Sequence, residues 1–268
     1  MKCIGAILAA AVVTAVGGIA SWYIPAGNMN DFEYSIVTLL FQGIVTAIGY
    51  ILILVLLGRK DVLKLGNGKS FLTGAIVGFP MLGYTLFSLI QTVVIITKEH
   101  YKPNVSPLFF VLYIVAIICS AGIGEELAYR GIIINFIRGV SGYKSRKGLI
   151  ISMIVSSVIF GFGHLTNLFF YNDLVGVIGQ CIFATGIGFY LAALYARSKN
   201  IWFNIILHVL WDLPSALSEL LDGTNHSVSE LHDGNTTNIL LSTIIEAIVF
   251  TLLGLFLIRK EKMPELTE

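Results

Sequence analysis

Apolar runs of about 20 residues, separated by short polar clusters, constrain this chain more than any other feature. An α-helix rises 1.5 Å per residue, so about 20 residues cross the roughly 30 Å hydrocarbon core of a bilayer. Within that layer every backbone polar group needs an internal partner, which a helix supplies. The runs predict eight spans, at about 4–24, 35–57, 71–97, 107–137, 148–165, 173–196, 201–220 and 238–258. Composition agrees: of 268 residues, 56% are hydrophobic and 12% charged, where a soluble domain carries about 25% charged residues. A soluble enzyme, a disordered chain and an ordinary nucleic-acid binder are excluded. The expected fold is all-α, a polytopic transmembrane helical bundle, with 1–268 forming one integral membrane domain. Lys2, an apolar stretch and small residues resemble a signal peptide, but the stretch runs on to Ile24 and so reads as the first span.

Lys and Arg are retained on the cytoplasmic side of membranes. With both termini cytoplasmic, fourteen of the seventeen basic residues fall inside: Lys2, then clusters at 59–69, 138–147, 197–199 and 259–262. Lys98 and Lys102 fall outside, and Arg130 lies within a span. The outside loops carry Asp31, Glu33, Asp173, Asp222, Glu230 and Asp233. The chain is thus expected in the cell membrane as a multi-pass protein, with the lipid bilayer as its surroundings and no nucleic-acid partner.

An ionisable side chain at the centre of a spanning helix costs about 2.5–3.5 kcal/mol on insertion scales, so each one is a functional candidate. The fourth span contains Glu125-Glu126-Leu127-Ala128-Tyr129-Arg130, the fifth ends Phe160-Gly161-Phe162-Gly163-His164, and the seventh holds Asn204 to Asp212 with His208 between them. Glu126 and Arg130 stand four apart, so they share a helix face and can pair. Glu125 points about 100° away from that face and needs partners from other helices or water. His208 and Asp212 are also four apart, as are Phe160 and His164. A Glu–Arg pair by itself often only locks helices together, and a lone membrane histidine more often bonds backbone than performs chemistry. Two glutamates, two histidines and Asp212 together instead suit hydrolysis, in which a base activates water and donors stabilise an oxyanion. Cys3, Cys119 and Cys181 share no metal-ligand spacing and read as packing residues. Glu246, with no motif around it, reads as a hydrogen-bonded packing residue.

Glu125-Glu126…Arg130, Phe160…His164 and His208…Asp212, in this order and on these spans, resemble the CAAX protease and bacteriocin-processing family of intramembrane endopeptidases. These are also called Abi proteins, and the Ras-converting CAAX prenyl protease is related to them. The resemblance covers about 107–215. It implies a glutamate-dependent endopeptidase (a hydrolase) cleaving a membrane-associated protein or peptide, in bacteriocin or peptide maturation, self-immunity or CAAX-type processing. It further implies that Glu125 and His164 activate water. His208 and residue 212 would line the oxyanion site, and Glu126 and Arg130 would support the first motif. Where the family pattern allows Asn or Asp at the last position, this chain has Asp212. An ionised Asp only accepts hydrogen bonds, so Asp212 is expected either to be protonated or, the preferred reading, to orient His208 and make it a better donor.

Two histidines and a glutamate are a donor set that zinc accepts. The chain has no His-Glu-x-x-His helix, and the preferred reading requires no cofactor. The non-enzymatic alternatives are a transporter, against which the absence of an internal repeat counts, and a toxin-binding immunity factor. Gly122-Ile123-Gly124 is expected to break the fourth span ahead of the glutamates. Two tripeptides, Asn225-His226-Ser227 and Asn235-Thr236-Thr237, match the glycosylation pattern by chance, and His226 and His232 read as solvated.

Overall fold

The computed structural model describes residues 2–98, 102–142, 145–225 and 235–262. Lys144, Glu230, His232, Asp233 and the His226-Ser227 part of the first tripeptide lie outside the described residues, as do the side chains of Lys2 and Cys3. The described residues form eight helices long and apolar enough to cross a membrane. They are α1 (Lys2–Ser21), α2 (Asp31–Leu56), α3 (Gly68–Lys98), α4 (Pro107–Ser141), α5 (Arg146–Gly163), α6 (Leu174–Ser198), α7 (Ile201–Asp222) and α8 (Thr236–Leu257). No strand occurs among the described residues. The protein is a multi-pass, all-helical membrane protein, with the eight spans that the apolar runs predict.

Helix starts follow local chemistry. Asn30 caps α2 in a reciprocal box with Glu33, its Oδ1 accepting from the Glu33 N–H at 2.8 Å and its own N–H donating to Glu33 Oε2 at 3.1 Å. Ser145, Asp173, Asn200 and Asn235 cap α5, α6, α7 and α8 by accepting from backbone N–H groups one or two residues into each helix. The Asn200 side chain also donates to Leu65 O and Ser70 Oγ, both at 3.1 Å. The start of α7 is thereby tied to the segment joining α2 and α3.

The chain divides into two compact units, Met1–Ile132 with Asn200–Asn225, and Ile133–Lys199 with His226–Glu268. The first contains α1, α2, α3, the first part of α4, and α7. Small residues let its backbones approach closely, the device that membrane helices use in place of a hydrophobic driving force. A Cβ at Gly43 would lie 2.8 Å from Ser120 N, so α2 meets α4 backbone to backbone. A Cβ at Gly122 would lie 2.5 Å from Val209 Cγ2, which sets α4 against α7. Below this, Phe32, Ile36, Tyr113, Ile117, Ala216 and Leu220 form a core, and Tyr113 Oη hydrogen-bonds Glu219. Tyr113 thus meets Glu219 at one end while Gly122 meets Val209 further along, so α4 and α7 run antiparallel. The outward residues of α1, including Ile4, Leu8, Val12 and Val16, are exposed and apolar, as a lipid-facing surface requires.

In the second unit, α6 is the most enclosed helix. It packs on α5 through Gly161 and Gly188, and on α8 through Gly186 against the Ala247 backbone. Glu246 lies partly buried in α8.

One expectation about α4 is corrected. Gly122-Ile123-Gly124 does not break the helix. The element is continuous from Pro107 to Ser141, but its middle is wound as π-helix over Ile118–Glu125 and again over Leu127–Ile134. The glycines serve contact: Gly122 accommodates Val209, and a Cβ at Gly124 would lie 3.2 Å from Thr46 Oγ1. Wide turns of this kind are rare and occur frequently at functional sites. Here the first ends on Glu125 and the second begins just after Glu126.

Candidate active site

Glu126 is the centre of the first unit's polar cluster. It is 0% exposed and Arg130 1%, and Arg130 Nη1 donates to Glu126 Oε1 at 2.9 Å. This is the i,i+4 pair predicted from the spacing. Two further groups from α7 reach the same carboxylate. His208 Nδ1 lies 2.8 Å from Oε1, and Asn204 Nδ2 donates to Oε2 at 3.3 Å. A carboxylate only accepts hydrogen bonds, so Nδ1 of His208 carries a proton and donates. With Arg130 at hand, this buried charge has both a cation and a full set of donors, the conditions under which burial is tolerable.

The other ring nitrogen of His208 faces two more acids. Its Nε2 is 3.6 Å from Glu125 Oε2 and 3.8 Å from Asp212 Oδ2. Both carboxylates are about one-third exposed, at 34% and 32%, whereas the His208 side chain is 7% exposed. The cluster therefore has a closed side, made of Arg130, Glu126 and Asn204, and an open side, made of Glu125 and Asp212, with the imidazole between. Tyr50 and Tyr129 also lie in electrostatic reach of Glu125.

His164 belongs to the second unit. It lies where α5 gives way to a 3₁₀ turn, His164–Phe169. Its Nδ1 is 3.0 Å from Phe160 O, and its ring stands edge-on to the Phe160 ring at 5.0 Å and 81°. A carbonyl only accepts, so Nδ1 carries a proton, and in the neutral ring Nε2 is then the accepting nitrogen. The Phe-x-x-x-His spacing thus has a local physical meaning: the turn that supplies the carbonyl also supplies the aromatic edge.

Of the six residues singled out from sequence, the structure brings Glu125, Glu126, Arg130, His208 and Asp212 together in one unit, while His164 stands in the other. Asn204 is the residue that the motifs missed. It precedes His208 by the same four residues by which Asp212 follows, so an extended i,i+4 reading of α7 would have found it. Among the described residues, no group of three or more His, Cys, Asp or Glu side chains is disposed to hold a metal ion.

Comparison with known families finds one similarity. The sequence model of the Rce1-like family, described as type II CAAX prenyl endopeptidase, matches residues 107–214. Over these residues the chain is similar to that family. The match begins at the first residue of α4 and ends two residues past Asp212, so it contains all three motifs. No curated protein and no solved structure matches. What this multi-pass membrane protein resembles over that stretch is thus a family of endopeptidases.

Proposed function

We propose that this chain is an intramembrane endopeptidase that cleaves a membrane-associated protein or peptide with Glu125 as general base. The carrying observation is the split between its two adjacent glutamates. Glu126 is buried and fully engaged by Arg130, His208 and Asn204, whereas Glu125 is partly open and faces the His208 ring. The engaged acid holds the machinery, and the open one meets water.

Glu125 takes a proton from the attacking water as its oxygen bonds to the scissile carbonyl carbon. The carbonyl oxygen becomes an oxyanion. His208, held at Nδ1 by Glu126, presents Nε2 beside Glu125, and in its doubly protonated form donates from Nε2 to that oxyanion. Asp212, 3.8 Å from the same nitrogen, stabilises the charged ring. As the C–N bond breaks, Glu125 returns its proton to the leaving amine. His164, its Nδ1 held by Phe160 O, joins this reading through the family pattern alone. No metal or other cofactor is part of the reading. The family match makes a prenylated CAAX peptide the first substrate to test; bacteriocin precursors and other membrane peptides follow.

The test uses protein purified in detergent and a quenched library of prenylated and unprenylated peptides. Wild-type protein is expected to cut a subset, and Glu125→Gln to lose about 10²- to 10⁴-fold of that rate, the usual contribution of a general base. Unchanged cleavage by Glu125→Gln, or no cleavage of any peptide by wild-type protein, overturns the proposal.

A further inference from the structure

We infer that Asn204, which lies outside the family motifs, is a positioning residue that fixes how His208 faces the reacting atoms. The inference rests on the endopeptidase reading above. Asn204 is 0% exposed within a membrane helix, and an apolar side chain there would avoid the cost of burying an amide. What the amide does is specific. Arg130 and His208 both donate to Oε1 of Glu126, at 2.9 and 2.8 Å, and Asn204 donates to Oε2 at 3.3 Å. Without that third bond the carboxylate is free to rotate, and a guanidinium can engage both oxygens side by side. The acceptor for His208 Nδ1 would then move. With it would move Nε2, whose 3.6 and 3.8 Å separations from Glu125 and Asp212 define the open side of the cluster.

The same helix face supports this. Asn204, His208 and Asp212 follow one another at intervals of four along α7, and each side chain makes a contact with the cluster. The bond through which Asn204 acts is the one to Glu126. The titratable groups around it are Glu126 and Arg130 from α4, His208 on its own helix, and, beyond the imidazole, Glu125 and Asp212.

Three measurements test the inference. Asn204→Leu keeps the bulk and removes the donor; kcat is expected to fall, by as much as about 100-fold for a misplacement near 1 Å, while KM stays unchanged. Asn204→Asp keeps the shape and turns the donor into an acceptor facing Glu126. It is expected to be less active than Asn204→Leu at neutral pH and to recover as pH falls, because the introduced carboxyl donates once protonated. Wild-type kcat in Asn204→Leu, or a wild-type pH profile in Asn204→Asp, overturns the inference.

The third measurement needs no activity: ¹⁵N imidazole spectra, with the His208 signals assigned by their loss in His208→Asn. They are expected to show a single protonated Nδ1 signal in wild-type protein and a shifted or split Nδ1 signal in Asn204→Leu; unchanged His208 signals overturn the inference. Should either variant fail to fold, Asn204→Ala is read in the same spectrum. If wild-type protein cleaves nothing, the endopeptidase reading fails and the spectra still decide the positioning role.

Discussion

His164 and His208 look alike in sequence, each carried on an apolar helix with a partner residue four positions before it, yet their surroundings differ in kind. The Nδ1 of His164 is satisfied by Phe160 O, a backbone atom of its own helix, and the Phe160 ring stands against its edge. The Nδ1 of His208 is satisfied by a side chain of another helix, the carboxylate of Glu126. A backbone carbonyl goes wherever the helix goes and needs no upkeep. A buried carboxylate stays in place only while Arg130 and Asn204 hold it. The first histidine is therefore preset locally, and the second depends on tertiary structure, which makes it the more sensitive of the two.

Glu126→Leu is the severest challenge to that contrast. It leaves Arg130 buried without its partner, a loss of about 3–5 kcal/mol for such pairs, and it also removes the acceptor for His208. Thermal melting in detergent should show a protein that is strongly destabilised or fails to accumulate. A variant melting like wild type would mean that Glu126 holds nothing in place.

Asp212→Asn is milder. The family pattern accepts either residue here, and Asn can itself donate to an oxyanion. Cleavage assays should find at least partial activity; a dead but well-folded protein would count against the role given to Asp212. Phe160→Leu probes the local histidine. The edge contact it removes is worth about 0.5–1.5 kcal/mol, and the backbone carbonyl remains, so kcat should stay within about tenfold of wild type. A loss as deep as that expected for Asn204→Leu would erase the distinction between the two histidines.

The smallest effect belongs to an ion pair at the surface. Arg59 Nε and Nη2 each donate to Asp61 at 2.9 Å in the segment between α2 and α3. That hydrogen bonding holds the Asp61 carboxyl below the usual carboxylate range. A lowered carboxylate pKa stabilises the fold above the unfolded value, about 3.9 for Asp, and the contribution disappears as pH falls through the folded value. Asp61 is 57% exposed, so Asp61→Asn should cost only about 0–1 kcal/mol near neutral pH. The difference from wild type should shrink as pH falls through the folded carboxyl's lowered pKa. A larger shift in melting temperature would show this pair to be more than a screened surface contact.

Much of the fold is legible because the bilayer imposes a length and a polarity on each span. The eight apolar runs became eight helices, and Asn30, Asp173 and Asn200 signal helix starts through short-range hydrogen bonding that sequence displays directly. The Glu126–Arg130 pair was legible for the same reason, since four residues close one helical turn. Asn204 has that spacing to His208 too, but its partner, Glu126, is 78 positions away, and no local rule connects them. The glycines before the glutamates were legible as special and misleading as to why. They suggest a break when α4 is viewed alone, and become contact points once Val209 and Thr46 stand against them.

The sequence by itself determined that this protein spans a membrane as eight helices and that the few ionisable groups inside those spans are its candidates for function, because hydrocarbon penalises every polar atom without a reason to be there. Only the tertiary structure decided how the adjacent glutamates divide. Which carboxylate is enclosed by Arg130, His208 and Asn204, and which faces open space, depends on α7 running antiparallel to a π-wound α4 at one register. That alignment arises from side chains far apart in the chain meeting in space, a relation that helical periodicity does not encode.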